Sequence, residues 1–146
     1  MKNIEEIKEE GQLLAMIIRA NHEANGVEFY TPNEYSQQLA AMGHPVGKVI
    51  PPHVHNSVSR NVEFTKEVLI IKKGKLRVDF YREDQSYIES TILYPSDVIL
   101  LARGGHGFEV LEELQMIEVK QGPYAGDKDK IRFEPVENTN LKMRKL

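Results

Sequence analysis

Between residues 67 and 120 the chain repeats one arrangement: a short stretch with period-two or wholly apolar character, then a polar turn. Leu76, Val78 and Phe80 alternate with Arg77, Asp79 and Tyr81, and residues 98–102 run almost without a polar interruption. Lys72-Lys73-Gly74-Lys75, Arg82-Glu83-Asp84-Gln85, Pro95-Ser96 and Arg103-Gly104-Gly105 separate strands expected at 67–71, 76–81, 87–94, 97–102, 106–111 and 114–120. Side chains alternate across a strand. Short strands at even spacing with polar turns between them therefore specify an all-β sandwich or barrel.

The chain has 146 residues, enough for one domain with a sizeable core. Residues 3–24 read as an N-terminal α-helix. Ile4, Ile7, Leu14 and Ile18 form a stripe joined by Leu13 and Ile17, with Glu5, Glu6, Lys8, Glu9 and Gln12 opposite. Gly26 is the expected stop. The division that follows is residues 1–26 as a helix packing on the barrel and 27–146 as the barrel. Residues 27–30 and 37–42 are further strand candidates, and 43–47 is a loop by its Gly and Pro content. Lys48-Val49-Ile50 then enters a strand carrying Pro51-Pro52-His53-Val54-His55. Residues 56–65 have little periodicity and read as a loop. The tail from 121 onward is mostly polar and is expected to wrap the barrel.

Composition removes several kinds of function. There is no cysteine, which excludes disulfides, thiolate metal sites and a cysteine nucleophile. A net charge of -3 gives no drive towards nucleic acid or acidic membranes. The N-terminus lacks the apolar run of a signal peptide and no stretch is long enough to span a bilayer, so a cytoplasmic location is expected.

His53 and His55 lie one residue apart, so on a strand they share a face. Two imidazoles with a carboxylate and a third imidazole from other strands make a nitrogen/oxygen coordination shell. Gly47 is followed by five residues and then His53-x-His55, and Glu67 by six residues and then Gly74. This resembles the first motif of the cupin superfamily, Gly-x5-His-x-His-x(3,4)-Glu-x6-Gly. The stretch from Ser96-Asp97 to Gly104-Gly105-His106-Gly107-Phe108 is similar to the second. Here eleven residues separate His55 from Glu67, so residues 56–65 are an insertion relative to the family, and Glu63 within it is the alternative carboxylate. The second motif departs further: Ser96 replaces its first glycine, Ala102 its proline, and no asparagine follows.

The resemblance implies a double-stranded β-helix, or jelly-roll barrel, binding one divalent transition metal (Fe, Mn, Ni, Cu or Zn) through His53, His55, Glu67 and His106. It also implies a homodimer and a small polar ligand, carbohydrate-related molecules among the candidates, processed by oxygenation or isomerisation. The alternatives are a non-catalytic binding or sensor protein and a metal-free, epimerase-like barrel with a histidine base. Leu69 and Ile71 share the parity of Glu67, and Phe108 and Val110 that of His106, so all four are expected to line the pocket. Glu118 and Lys120 become an acid/base or anchoring pair if their face of the last strand points inward. His22 and His44 are expected at the surface. Arg77, Asp79 and Tyr81 read as a solvated strand face or a subunit contact.

Overall fold

The computed structural model describes residues 3–145. Strand accounts for 45% of the chain and helix for 5%, the latter as two short 3-10 turns, so the all-β expectation holds. Eight strands form: β1 (Ile4–Glu9), β2 (Gln12–Ile18), β3 (Gly26–Phe29), β4 (Ala40–Gly43), β5 (Glu67–Tyr81), β6 (Tyr87–Leu93), β7 (Val98–Leu101) and β8 (Gly105–Lys120). Among the described residues no helix is long and apolar enough to cross a membrane.

The expected N-terminal helix is a β-hairpin. Glu10 (φ 50°) and Gly11 (φ 78°) form a two-residue turn with both φ values positive, the geometry that matches the twist of a hairpin. The apolar run from Leu13 to Ile17 is buried on both faces of β2. A short continuous apolar run has no period of its own, so helix and doubly buried strand look alike in sequence. Glu10-Gly11 was the distinguishing signal.

One large sheet has the order β1-β2-β7-β5-β6, with β8 on the other side of β5. Strand β5 organises it. Along its whole length β5 pairs with β8, from Glu67 opposite Lys120 to Tyr81 opposite Gly105. On its other side, residues 67–70 pair with β7 and residues 76–81 with β6. The expected turn at residues 72–75 is a bulged bend within β5, where the register against β8 shifts three times. Bulges bend a strand and increase its twist. The sheet accordingly curls into an antiparallel half-barrel. Likewise 106–111 and 114–120 are one strand rather than two.

The concave side holds Ile7, Leu14, Ile17, Leu69, Ile71, Leu76, Val78, Phe80, Leu93, Ile99 and Leu101. Each such fully buried side chain contributes about 1.5–3 kcal/mol relative to exposure. On the other face, Leu13, Met16, Val68 and Leu100 are covered by Leu39, Tyr30 and Tyr35 from the segment that also carries the separate β3–β4 hairpin. Arg19 ties the layers together. Its guanidinium donates to Asp97 (2.9 Å), to the Ile92 carbonyl (2.8 Å), to Thr91 (3.1 Å) and to Glu5.

Arg77, Asp79 and Tyr81 are buried, not solvated. The C-terminal tail lies across them, as the wrapping expectation required. Asn138 meets Arg77, the Val136 amide donates to the Tyr81 hydroxyl (2.9 Å), and Ser90 of β6 exchanges backbone bonds with Lys142 and Arg144. Of the two remaining histidines, His44 is exposed as expected. His22 is not a solvated surface group: its Nε2 lies 2.6 Å from the Tyr30 hydroxyl, which donates to Glu28 (2.6 Å).

Candidate functional site

Glu67 opens β5 between Leu101 of β7 and Lys120 of β8. After Leu101 the chain turns sharply: the Ala102 amide donates to the Leu14 carbonyl (2.8 Å), and Gly104 takes φ 75°. A Cβ at Gly104 would lie 2.7 Å from the Tyr81 carbonyl oxygen, so the turn passes where only glycine fits. It delivers His106, the second residue of β8, back to the end of the half-barrel where Glu67 sits. His106 Nε2 lies 3.1 Å from Glu67 Oε2, although the two residues pair at opposite ends of β5. The curl of the sheet makes that contact.

Lys120 adds a cation, with Nζ 3.6 Å from Glu67 Oε1 and 3.1 Å from Asp129 Oδ2. Asp129, from the tail, also accepts from the Thr65 hydroxyl. The imidazole of His106 holds the Glu67 carboxyl below its ordinary range, outweighing the burial that pushes it up. Asp129 is lowered by the Thr65 hydroxyl and by Lys120, and Lys120 is raised by Asp129. Near neutral pH Glu67 and Asp129 are therefore carboxylates and Lys120 an ammonium.

Thr65, Glu67, His106 and Asp129 border a cleft of about 700 Å³. Phe64, Tyr81 and Phe133 give it aromatic walls. Five cationic side chains (Arg82, Arg103, Lys128, Lys130 and Arg132) face three carboxylates (Glu67, Glu83 and Asp129), so the lining carries an excess of positive charge. The Arg103 guanidinium stacks over the Phe64 ring at 4.9 Å and pairs with Glu83 at 2.6 Å. A concave site with aromatic walls and a few directed polar groups suits a small molecule.

The four expected metal ligands are brought together only in part. Glu67 and His106 meet. His53 and His55 do not reach them. They lie in an exposed segment without regular structure instead of on a strand, with ring centroids 5.3 Å apart and His53 Nδ1 3.0 Å from the Pro51 carbonyl. Among the described residues no three His or carboxylate groups converge as a metal-ligand set. One copy, as arranged, supplies half of the expected shell. The alternative carboxylate, Glu63, is also in the exposed segment.

The other expected pocket residues divide. Leu69 and Ile71 point inward but are spent in the core, each 1% exposed. Phe108 and Val110 lie opposite Val78 and Leu76, on the expected face, but stay 42% and 56% exposed because no strand lies beyond β8 to cover them. Lys120 joins the site and the Glu118 carboxyl also approaches Glu67, while Ile117 and Val119 are left exposed. Glu118 and Lys120 lie opposite Leu69 and Glu67, so of the two alternatives for that end of β8 the register takes the one in which they face inward. Thr65, Asp129 and the tail cations were missed altogether. The signal available for them was the recurrence of Lys128, Lys130 and Arg132 at every second position. Comparison with protein-family models, with curated proteins and with solved structures found no match to this chain.

Proposed function

We propose that this is a cupin-like protein that binds a small anionic molecule in the cleft beside Glu67 and His106. In this reading the two residues form half of a divalent-metal site, and His53 and His55 are the other half. The observation that supports it is the 3.1 Å approach of His106 to Glu67 at the wall of a cation-rich cleft. A metal held there would supply Lewis-acid or redox chemistry suited to isomerisation or oxygenation. The chain's own residues account for binding. Arg82, Arg103 and Arg132 offer planar donors that match carboxylate or phosphate oxygens. Phe64, Tyr81 and Phe133 shield a ligand from water. Lys120, held charged by Asp129, supplies a further donor beside the reacting groups.

A second reading is favoured by the same contact. A histidine held by a carboxylate is the arrangement of an oriented general base, and it needs no metal. Elemental analysis of the purified protein separates the two, beside the Glu67→Ala and His106→Ala variants. Near-stoichiometric first-row metal in the parent, lost in both variants, is the expected result. Absence of metal even after reconstitution would sink the metal reading and leave the Glu67–His106 acid/base pair.

A further inference from the structure

Residues 44–66 form no strand or helix, and from 44 to 64 every residue is exposed. Val46, Val49 and Val54 are 106%, 73% and 89% exposed, so the segment stands off its own half-barrel. Strand β8 has the opposite deficiency. It is 16 residues long, it pairs with β5 on one side only, and it exposes Phe108, Val110, Leu111, Met116, Ile117 and Val119. A long apolar edge strand presents a row of unpaired backbone groups and is a template for another strand. Elsewhere the fold covers such an edge: the tail lies along β6 through Ser90. Nothing covers β8.

We propose that a second copy of this chain covers it. Residues 48–58 of each copy lie along the open edge of β8 in the other and carry His53 and His55 to that copy's Glu67 and His106, an inference that rests on the metal reading above. The exchange is reciprocal, so the interface is a closed two-fold dimer with two shared sites.

Charge does not oppose the pairing. Residues 44–66 hold Lys48, Arg60 and Lys66 against Glu63, a net +2, while Glu109, Glu112 and Glu113 of β8 are already paired with Arg77, Lys75 and Lys73 of β5. Pro51 and Pro52 suit the entrance to a strand that begins at His53. Once the segment is extended, His53 and His55 share one side of it, and His106, Phe108 and Val110 share one side of the β8 edge. Docking would also bury valines that are otherwise left in water. The site of one copy is incomplete without the other, which explains why Glu67 and His106 meet while the His53–His55 pair stands apart.

Two experiments test this. The chain has no cysteine, so Val54→Cys copies can be mixed with copies carrying Leu111→Cys, an exposed position on the face opposite to His106 as Val54 is opposite to His53 and His55, by co-expression and treated with a short bifunctional maleimide. A covalent dimer linking one variant to the other is expected. A monomer by light scattering at micromolar concentration would overturn the proposal. So would a Val54→Cys/Leu111→Cys chain that closes only on itself. In the second experiment, His53→Ala/His55→Ala copies are paired with Glu67→Ala/His106→Ala copies. Such a heterodimer keeps one whole site, so it should hold about half the parent's metal per chain while each homodimer holds none. A metal-free heterodimer beside a metal-loaded parent refutes shared sites. A metal-free parent that still cross-links between copies refutes the metal function and supports the strand exchange, so the two failures are distinguishable.

Discussion

Replacing Asp79 by alanine breaks the ion pair that the tail covers. The Asp79 carboxylate accepts from Arg77 Nε at 2.8 Å and Nη2 at 3.1 Å, and from the Ser90 hydroxyl. The Arg77 and Asp79 side chains are only 9% and 3% exposed. Removing one partner of a buried pair costs about 3–5 kcal/mol, because the remaining charge is left without compensation. Arg77 keeps Glu109 at 2.6 Å and Asn138 at 3.3 Å, which places the expected loss at the low end, about 3 kcal/mol. The control is Lys73→Ala. Lys73 and Glu113 lie 2.7 Å apart but are 62% and 82% exposed, and breaking such a pair costs about 0–1 kcal/mol. The two distances are nearly equal, so burial alone separates the predictions. Urea unfolding at one protein concentration measures both. The Asp79→Ala midpoint should fall by about 1–3 M, given slopes of about 1–3 kcal/mol/M. The tail should also be cleaved faster by protease, since Arg77 anchors Asn138. Equal midpoints for Asp79→Ala and Lys73→Ala would refute the reasoning.

Two further predictions concern the bend and the His22 network. Gly74 has φ 89°, and a Cβ there would sit 2.0 Å from the Glu113 carbonyl oxygen. Gly74→Ala should cost about 2–4 kcal/mol in urea unfolding, from the left-handed backbone and the forced separation of β5 from β8. Gly107→Ala, whose Cβ would meet nothing closer than 3.7 Å, should stay within about 0.5 kcal/mol. Burial and the Glu28 carboxylate push the Tyr30 hydroxyl up to about 12 from 10.0. A raised value means that the folded chain binds this proton more tightly than the unfolded one. Its stabilisation is complete below pH 10 and is lost as pH rises towards 12. Ultraviolet titration of tyrosinate should show a late-ionising tyrosine that Tyr30→Phe removes. An unchanged titration curve in that variant would contradict the assignment.

Much of the architecture was legible because the forces behind it are local. Alternation from residue 76 to 81 is enforced by the pleat, and Gln85 and Ser96 take the positive φ values that mark turns at the expected places. The strands at residues 26–29, 87–93 and 98–101 follow for the same reason. The N-terminal hairpin was not legible from its apolar run, because Leu13 to Ile17 is buried on both faces and so carries no period. Nor did Pro51-Pro52-His53-Val54-His55 form a strand within one copy. An isolated strand has no partner for its backbone groups, and no spacing in the sequence states where the partner is.

By itself, then, the sequence determined the β class, the turns at residues 82–85, 95–96 and 103–105, and the presence of Glu67 and His106 as candidate chemical groups. Only the tertiary structure decided that those two meet, that Lys120 and Asp129 join them, and that Arg77 and Asp79 are buried. The physical reason is the bulged bend at residues 72–75. It curls two long paired strands so that residues far apart along β5 become neighbours, and contacts made by curvature leave no trace in a pattern of period two.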